Sequence, residues 1–95
     1  MTIEIKKDVQ DITIEIVGRL DTTTAPSLEK AINEEVGECK NLILDLKGLE
    51  YISSAGLRVM LSTQKKVKEL KLINVCELVM EVFEMTGFCD VLTIE

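Results

Sequence analysis

The chain has 95 residues, of which 46% are hydrophobic, so it is long enough for one domain with a single core. Its formal net charge of −6 argues against nucleic acid or an anionic membrane as a direct partner. No stretch approaches the ~20 apolar residues of a membrane span, and residues 1–6 lack the apolar run of a secretory signal, so we expect a cytoplasmic protein.

Two strands and a helix are predicted in the first third of the chain. Ile3 and Ile5 alternate with polar side chains, at the period of two that is typical of half-buried strands. The three isoleucines of residues 12–17 alternate in the same way with Thr13, Glu15 and Val17. Gly18 is expected to end the second strand. Pro26 predicts the first turn of a helix, which continues with apolar residues at helical spacing.

The remaining two thirds alternate strands with helices. Residues 41–46 (Asn-Leu-Ile-Leu-Asp-Leu) are too rich in apolar residues for an exposed edge, and they predict a central strand that is covered on both faces. Apolar residues at helical spacing over 57–70 and 78–83 predict two more helices. A buried strand is expected between them, over residues 72–75, and a short last strand over residues 91–94.

The order β-β-α-β-α-β-α-β predicts an α/β fold with a mixed, mostly parallel sheet of about five strands and helices packed against it. We expect the first strand at an edge of the sheet, antiparallel to its neighbour. In such sheets the loops at the carboxyl ends of the parallel strands gather on one side, where function usually lies. The segments expected there are residues 18–24, 47–54 and 76–77.

Two aspartates near these strand ends, Asp21 and Asp45, have two interpretations. As a carboxylate pair they would serve acid–base chemistry or hold a metal ion. Alternatively, Asp21 stabilises a turn and Asp45 accepts hydrogen bonds from nearby backbone N–H groups. We favour the second interpretation.

Metal and cofactor sites are not expected elsewhere in the chain. The three cysteines, Cys39, Cys76 and Cys89, are odd in number and lack C-x-x-C spacing. Because the chain has no histidine, a zinc site would need an unusual ligand set. We expect reduced thiols, no bound metal and no cofactor.

Two adjacent hydroxyls, Ser53 and Ser54, lie between a predicted strand and a predicted helix. A helix N-terminus exposes unpaired N–H groups and a partial positive charge, so a serine there is either a phosphorylation switch or an ordinary helix cap. The chain has no phosphate-binding loop, dinucleotide turn or G-x-S-x-G elbow, and without histidine a Ser-His pair cannot form. We therefore expect a protein that is not an enzyme.

The helix predicted over residues 78–83 is apolar on more than one face, with Met80 and Met85 adding to its aliphatic residues. Either it is a covered core helix, or it carries an exposed apolar patch for docking or self-association.

Four short motifs occur in a fixed order along the chain, and together they resemble a known family. They are Gly18-Arg19-Leu20-Asp21, Thr24-Ala25, Leu44-Asp45-Leu46 and Ile52-Ser53-Ser54-Ala55-Gly56-Leu57. This set, with the length and the predicted topology, resembles the STAS domain family, and within it the free-standing bacterial anti-sigma-factor antagonists. The resemblance covers nearly the whole chain and implies one STAS domain over residues 1–95.

The resemblance implies a phosphorylation switch between proteins that regulates transcription. In this family the unphosphorylated antagonist binds an anti-sigma factor that is itself a serine kinase, and so frees a sigma factor. The kinase phosphorylates one serine of the antagonist, which ends the association, and a metal-dependent serine phosphatase restores it. The partners implied are therefore an anti-sigma factor with serine kinase activity and a serine phosphatase.

The family pattern around the modified residue is Asp-Ser-[Ser/Thr/Ala]-Gly-[Leu/Val], in which the first Ser carries the phosphate. Gly56 and Leu57 set the register, so Ser54 takes the phosphorylated position. Ser53 stands where many members carry Asp and is the alternative acceptor. The residues that we expect to contact the partner are Asp21, Thr22, Thr23, Ser53, Ser54, Ala55, Gly56 and Arg58.

An alternative function also follows from the resemblance. STAS domains occur as soluble accessory subunits that bind a nucleotide or a lipid, or that scaffold a transport or signalling assembly. The oligomeric state is expected to be a monomer or a weak dimer.

Overall fold

The computed structural model describes residues 1–7, 11–36, 41–67 and 69–95. Within these ranges the chain forms five strands, three α-helices and one short 3₁₀ turn. The strands are β1 (Thr2–Lys7), β2 (Asp11–Leu20), β3 (Asn41–Ile52), β4 (Glu69–Ile73) and β5 (Thr93–Ile94). The helices are α1 (Ala25–Val36), α2 (Ser54–Lys66) and α3 (Glu77–Thr86), with the 3₁₀ turn at Phe88–Asp90. None of the helices in the described ranges is long and apolar enough to cross a membrane.

The strands form one sheet in the order β1-β2-β3-β4-β5. β1 pairs antiparallel with β2, and every later pair is parallel, so the predicted mixed sheet with an antiparallel first strand is confirmed. Each parallel connection steps to the next position in the same direction. Because such crossovers are right-handed, they place their helices on the same face of the sheet.

Burial alternates along the strands, which shows that one face carries the core. Ile14 and Ile16 of β2 are fully buried, as is Leu44 of β3, whereas Ile43 and Asp45 on the opposite face are only half-buried. The prediction that the central strand is covered on both faces is therefore wrong. The reason is the direction of the crossovers, which all stack helices against the same side.

β3 extends to Ile52, six residues beyond the predicted strand, because two bulges keep its apolar residues on the buried face. The pairing with β2 shifts twice, and at each shift β3 contributes one extra residue. As a result the buried residues of β3 change spacing from two to three, at Leu46, Leu49 and Ile52. Gly18 does not end β2 as predicted, since it continues the strand with a φ of 110° at one of these shifts.

β3 extends beyond the end of β4, and α3 packs against the residues of β3 that have no β4 neighbour. The last pair between the two strands joins Asp45 to Ile73, so the following residues of β3 have no β4 neighbour. The Cys76 thiol, at the start of α3, donates to the carbonyl of Leu49 at 3.3 Å. Phe83 of α3 is fully buried, so the helix both covers this strand edge and completes the core.

Three predicted boundaries in the second half were wrong. α2 ends at Lys66, and Leu70 belongs to β4, where Leu70 and Leu72 alternate with exposed or half-buried residues at the period of a strand. Val75 lies beyond the end of β4. The last strand is limited to Thr93–Ile94, because the N–H groups of Val91 and Leu92 both donate to the Phe88 carbonyl in the turn that precedes it. Two of the cysteines, Cys76 and Cys89, are free thiols, and Cys39 lies outside the described residues.

Gly56 provides a test of how closely α2 packs on the sheet. A Cβ at this position would lie 2.7 Å from Leu20 Cγ and 2.8 Å from Ile52 Cγ1. Although alanine favours a helix by about 1 kcal/mol over glycine, we expect Gly56→Ala to lower the free energy of unfolding by about 1–3 kcal/mol through overpacking. Urea unfolding measures this. Arg58→Ala, an exposed change in the same helix, should alter it by less than about 0.5 kcal/mol, and a Gly56→Ala variant as stable as the wild type would contradict the packing.

Candidate functional site

The candidate site lies where β2 and β3 end side by side. Leu20 pairs with Ile52, and the Ser53 N–H donates to the Leu20 carbonyl at 2.9 Å. The chain leaves β2 into a turn at residues 21–24 and leaves β3 directly into α2. The end of this strand pairing therefore places the turn beside the N-terminus of α2. Residues 18–24 and 47–54 meet at this side as predicted, although residues 18–20 and 47–52 belong to strands and not to loops. Residues 76–77 were also expected here, but Cys76 lies against Leu49, before the end of β3.

The turn is closed by reciprocal hydrogen bonds between Asp21 and two threonines. Asp21 Oδ1 accepts from the Thr23 hydroxyl at 2.7 Å, from the Thr23 N–H at 3.0 Å and from the Thr24 N–H at 3.2 Å. Thr24 Oγ1 accepts from the Asp21 N–H at 2.8 Å and donates to the Arg19 carbonyl at 2.8 Å. Asp21 thus stabilises the turn that leads into α1, as one of the two interpretations predicted.

These bonds also set the charge of Asp21. The Thr23 hydroxyl, with the backbone N–H groups of Thr23 and Thr24, holds the pKa of the Asp21 carboxyl below its ordinary value of 3.8. The carboxylate is therefore ionised at neutral pH, and one of its oxygens is occupied by bonds within the turn.

Asp45 does not belong to this site. It pairs with Glu15 and Ile73 in the sheet, and its Oδ1 accepts from the Lys47 N–H and from Asn74 Nδ2, both at 3.0 Å. It precedes Ile52 by seven strand residues, which is about 20 Å along the strand. The proposed carboxylate pair with Asp21 is therefore wrong. In the described part of the chain, no three His, Cys, Asp or Glu side chains are grouped so as to hold a metal ion.

The two serines at the start of α2 have different environments. Ser53 is the N-cap residue, with extended backbone, but its side chain makes no capping bond. Its Oγ is buried and has no hydrogen-bond partner. Ser54 is the first residue of α2, and it is exposed. The ordinary capping role is therefore absent at Ser53, and the hydroxyl that lies at the surface belongs to Ser54.

The N-terminus of α2 can accommodate an anion. Its first backbone N–H groups have no partner within the helix and no side-chain cap, and its first turn contains no acidic residue. Arg58, one turn further on, is exposed and forms no ion pair or hydrogen bond with any residue that the structure describes. Arg19 differs, since its guanidinium lies 4.3 Å from the centre of the Tyr51 ring. A negative group on Ser54 would therefore meet an unengaged guanidinium at Arg58.

A shallow groove of about 380 Å³ runs between α1 and α2 beside Ser54. It is lined by Thr22, Ala25, Pro26, Glu29, Ala55, Arg58, Val59 and Ser62. Three of the predicted contact residues, Thr22, Ala55 and Arg58, share this groove. Gly56 is buried beneath it, so its part is to let α2 approach the sheet.

Five of the residues that line the groove were not predicted from the sequence to contact a partner: Ala25, Pro26, Glu29, Val59 and Ser62. They lie on α1 and α2 and not in the loops at the carboxyl ends of the strands. Their convergence requires α1 and α2 to be neighbours, which only the topology establishes. The polar faces of the two amphipathic helices could have indicated Glu29 and Ser62. Ala25 and Val59 are core residues and give no such signal.

The charge of Asp21 makes the stability of the turn depend on pH. Because the pKa is lower in the folded chain than in the unfolded one, the carboxylate stabilises the fold above about pH 4, and this contribution is lost as the pH falls through the lowered pKa. We expect the difference in stability between wild type and Asp21→Asn to shrink between pH 6 and pH 3, measured by urea unfolding.

A second variant tests the cause of that shift. Thr23→Val removes the hydroxyl bond, so it should raise the pKa of Asp21 toward 3.8 in an NMR titration of the carboxyl carbon. An unchanged pKa of Asp21 in Thr23→Val would show that this hydrogen bond does not control the carboxylate. So would a difference in stability between wild type and Asp21→Asn that is the same at pH 6 and at pH 3.

Comparison with known proteins places this geometry in a family. The family model described as STAS domain matches residues 1–95. The anti-sigma-B factor antagonist of Bacillus subtilis is 32% identical over 98 residues, covering 99% of this chain and 90% of that protein. Its counterpart in Listeria monocytogenes is 33% identical over 101 residues, covering 100% of this chain and 89% of that protein.

A solved structure shares the fold. The crystal structure of an anti-sigma factor antagonist from Mycobacterium paratuberculosis has a TM-score of 0.89 at 23% identity, covering 98% of this chain and 83% of that one. The resemblance inferred from the ordered motifs is therefore confirmed, and so is the predicted fold class. Since the family model matches from the first residue to the last, the chain belongs to the STAS domain family.

Proposed function

We propose that this chain is an anti-sigma-factor antagonist that a serine kinase switches off by phosphorylating Ser54. The observation that carries the proposal is the position of Ser54, exposed at an uncapped helix N-terminus beside a groove. Two relatives named as anti-sigma-B factor antagonists, which the chain matches over nearly its whole length, support it. The partner in this proposal is an anti-sigma factor with serine kinase activity, and a serine phosphatase reverses the modification.

The environments of the two hydroxyls favour Ser54 over Ser53 as the acceptor. A kinase must bring the γ-phosphate of ATP in line with the attacking oxygen. Ser53 Oγ is buried and could not be reached without opening the junction between β2 and β3. Ser54 needs no such rearrangement, because it is already at the surface.

The fold can remain intact when a phosphate is attached to Ser54. Phosphorylation adds about −1.5 to −2 charges at neutral pH. Those charges are placed at the positive end of the α2 dipole, where the first turn has no acidic side chain to repel them. Arg58 can donate a charge-assisted hydrogen bond to the phosphate. The modification therefore changes the surface and leaves the core intact.

The same change would expel a protein bound over this surface. A partner that packs on Ala55, Thr22 and the groove would meet new bulk and negative charge at the edge of its contact. A loss of about 3 kcal/mol weakens binding about a hundredfold, which is enough for a switch. In this mechanism the chain is the substrate of the chemistry and contributes no catalytic group.

The acceptor can be identified with the kinase-type anti-sigma factor of the same organism. Incubation with this kinase and ATP should add one phosphate, which mass spectrometry maps to Ser54, and Ser54→Ala should abolish the addition. Ser53→Ala is the matched control, which should still accept the phosphate. A phosphate on Ser53, or undiminished labelling of Ser54→Ala, would overturn the assignment.

A charge mimic separates binding from stability. Ser54→Asp should weaken binding to the anti-sigma factor at least tenfold, in calorimetry, by placing a carboxylate in the contact. Its Tm should stay within about 2 °C of the wild type, because a carboxylate is tolerated at a helix N-terminus. Unchanged affinity in Ser54→Asp, together with micromolar binding of a nucleotide or a lipid, would favour an accessory subunit instead.

A further inference from the structure

α3 exposes a stripe of apolar side chains that the core does not use. Leu78 is 53% exposed and Met85 is 85% exposed, with the half-buried Val82 between them. Their spacing of four and then three residues aligns them on one side of the helix. We call these three residues the apolar ridge. Val79 and Phe83 are fully buried, so α3 is anchored to the core through a different side.

A second ridge runs beside the first and is entirely acidic. It consists of Glu77, Glu81 and Glu84, which we call the acidic ridge, and each glutamate directly precedes one residue of the apolar ridge. All three are exposed, and α3 contains no basic residue. Within the described ranges none of the three carboxylates forms an ion pair.

The acidic ridge does not serve the stability of α3. Glu77 is favourable at the helix N-terminus, but Glu81 stands four residues from it and three from Glu84, where like charges repel. Glu84 also lies in the last turn, where the helix dipole favours a cation. Two of the three charges therefore weaken the helix that carries them, which points to a role outside the fold.

The combination of ridges restricts what can bind. A second copy of the chain would bring acidic ridge against acidic ridge, and nucleic acid or an anionic membrane would be repelled by the same carboxylates. A helix with apolar residues and lysines or arginines at three- and four-residue spacing matches both ridges at once. We propose that α3 is a docking surface for a basic amphipathic helix of a partner protein. α3 has ten residues and is about 15 Å long, so it fits a partner segment of similar length.

The docking surface can be tested with a defined probe. This is a 14-residue peptide of leucine and lysine, with leucines at three- and four-residue spacing, compared with a peptide in which glutamate replaces every lysine. We expect the lysine peptide to shift the NMR signals of backbone amides in residues 77–86 of the intact, isotope-labelled chain. The glutamate peptide should leave them unchanged.

Matched variants assign the two ridges. Leu78→Ser with Met85→Ser, and separately Glu81→Gln with Glu84→Gln, should each weaken binding of the lysine peptide at least tenfold. Glu4→Gln with Glu69→Gln makes the same change in net charge at exposed positions of β1 and β4 and should alter binding less than twofold. The variant Glu81→Gln with Glu84→Gln should also have a Tm about 2–4 °C above the wild type, because it relieves the repulsion between carboxylates within α3.

The proposal fails if the two glutamate pairs weaken binding equally, if the glutamate peptide binds as well, or if the shifted amides lie on α1 or the open face of the sheet. It does not depend on the proposed phosphorylation. Ser54→Asp should bind the lysine peptide as tightly as the wild type, whatever its effect on the anti-sigma factor. Loss of peptide binding in Ser54→Asp would place the peptide at α2 and overturn the docking surface.

Discussion

The close approach of α2 to the paired ends of β2 and β3 is the constraint on which the site depends. It is possible because Gly56 has no side chain, since a Cβ there would overlap Leu20 and Ile52. With the first turn of α2 pressed against the sheet, Ser53 Oγ is enclosed and Ser54 faces outward. The missing side chain of a buried glycine thus decides which hydroxyl is accessible.

The electrostatics of the site follow from the same junction. The turn beside α2 carries a carboxylate at Asp21, but one of its oxygens is held by Thr23 and Thr24 within the turn. The first turn of α2 has no acidic residue, and Arg58 has no ion pair within the described ranges. The surface around Ser54 can therefore accept a negative charge, at the N-terminus of α2 and beside Arg58. A phosphate placed there would be retained by the helix that carries it, while a docked protein would be repelled.

The pattern of the sequence predicted the helices and strands, but not the features that depend on contacts between them. The alternation at Ile14 and Ile16 predicted β2, and Pro26 predicted the start of α1, because both signals are local. The length of β3 could not be predicted, since its bulges are defined only against β2. Single-face coverage of the sheet depends on the direction of the crossovers. At the site the serines were found by motif, whereas the groove depends on the contact between α1 and α2, which no spacing reveals.

The two surfaces differ in how they carry charge, and this difference suits the separate roles that we propose for them. At the N-terminus of α2 the helix dipole favours an anion, so a phosphate can be added and removed without cost to the fold. On α3 the charges are permanent, and Glu81 and Glu84 stand where the helix is weakened by them. A reversible signal needs the first arrangement, because the carrier must be equally folded in both states. A docking surface that is always available tolerates like charges within one helix, because binding of a basic helix would relieve their repulsion. Phosphorylation of Ser54 would then change one contact of the chain and leave the other available.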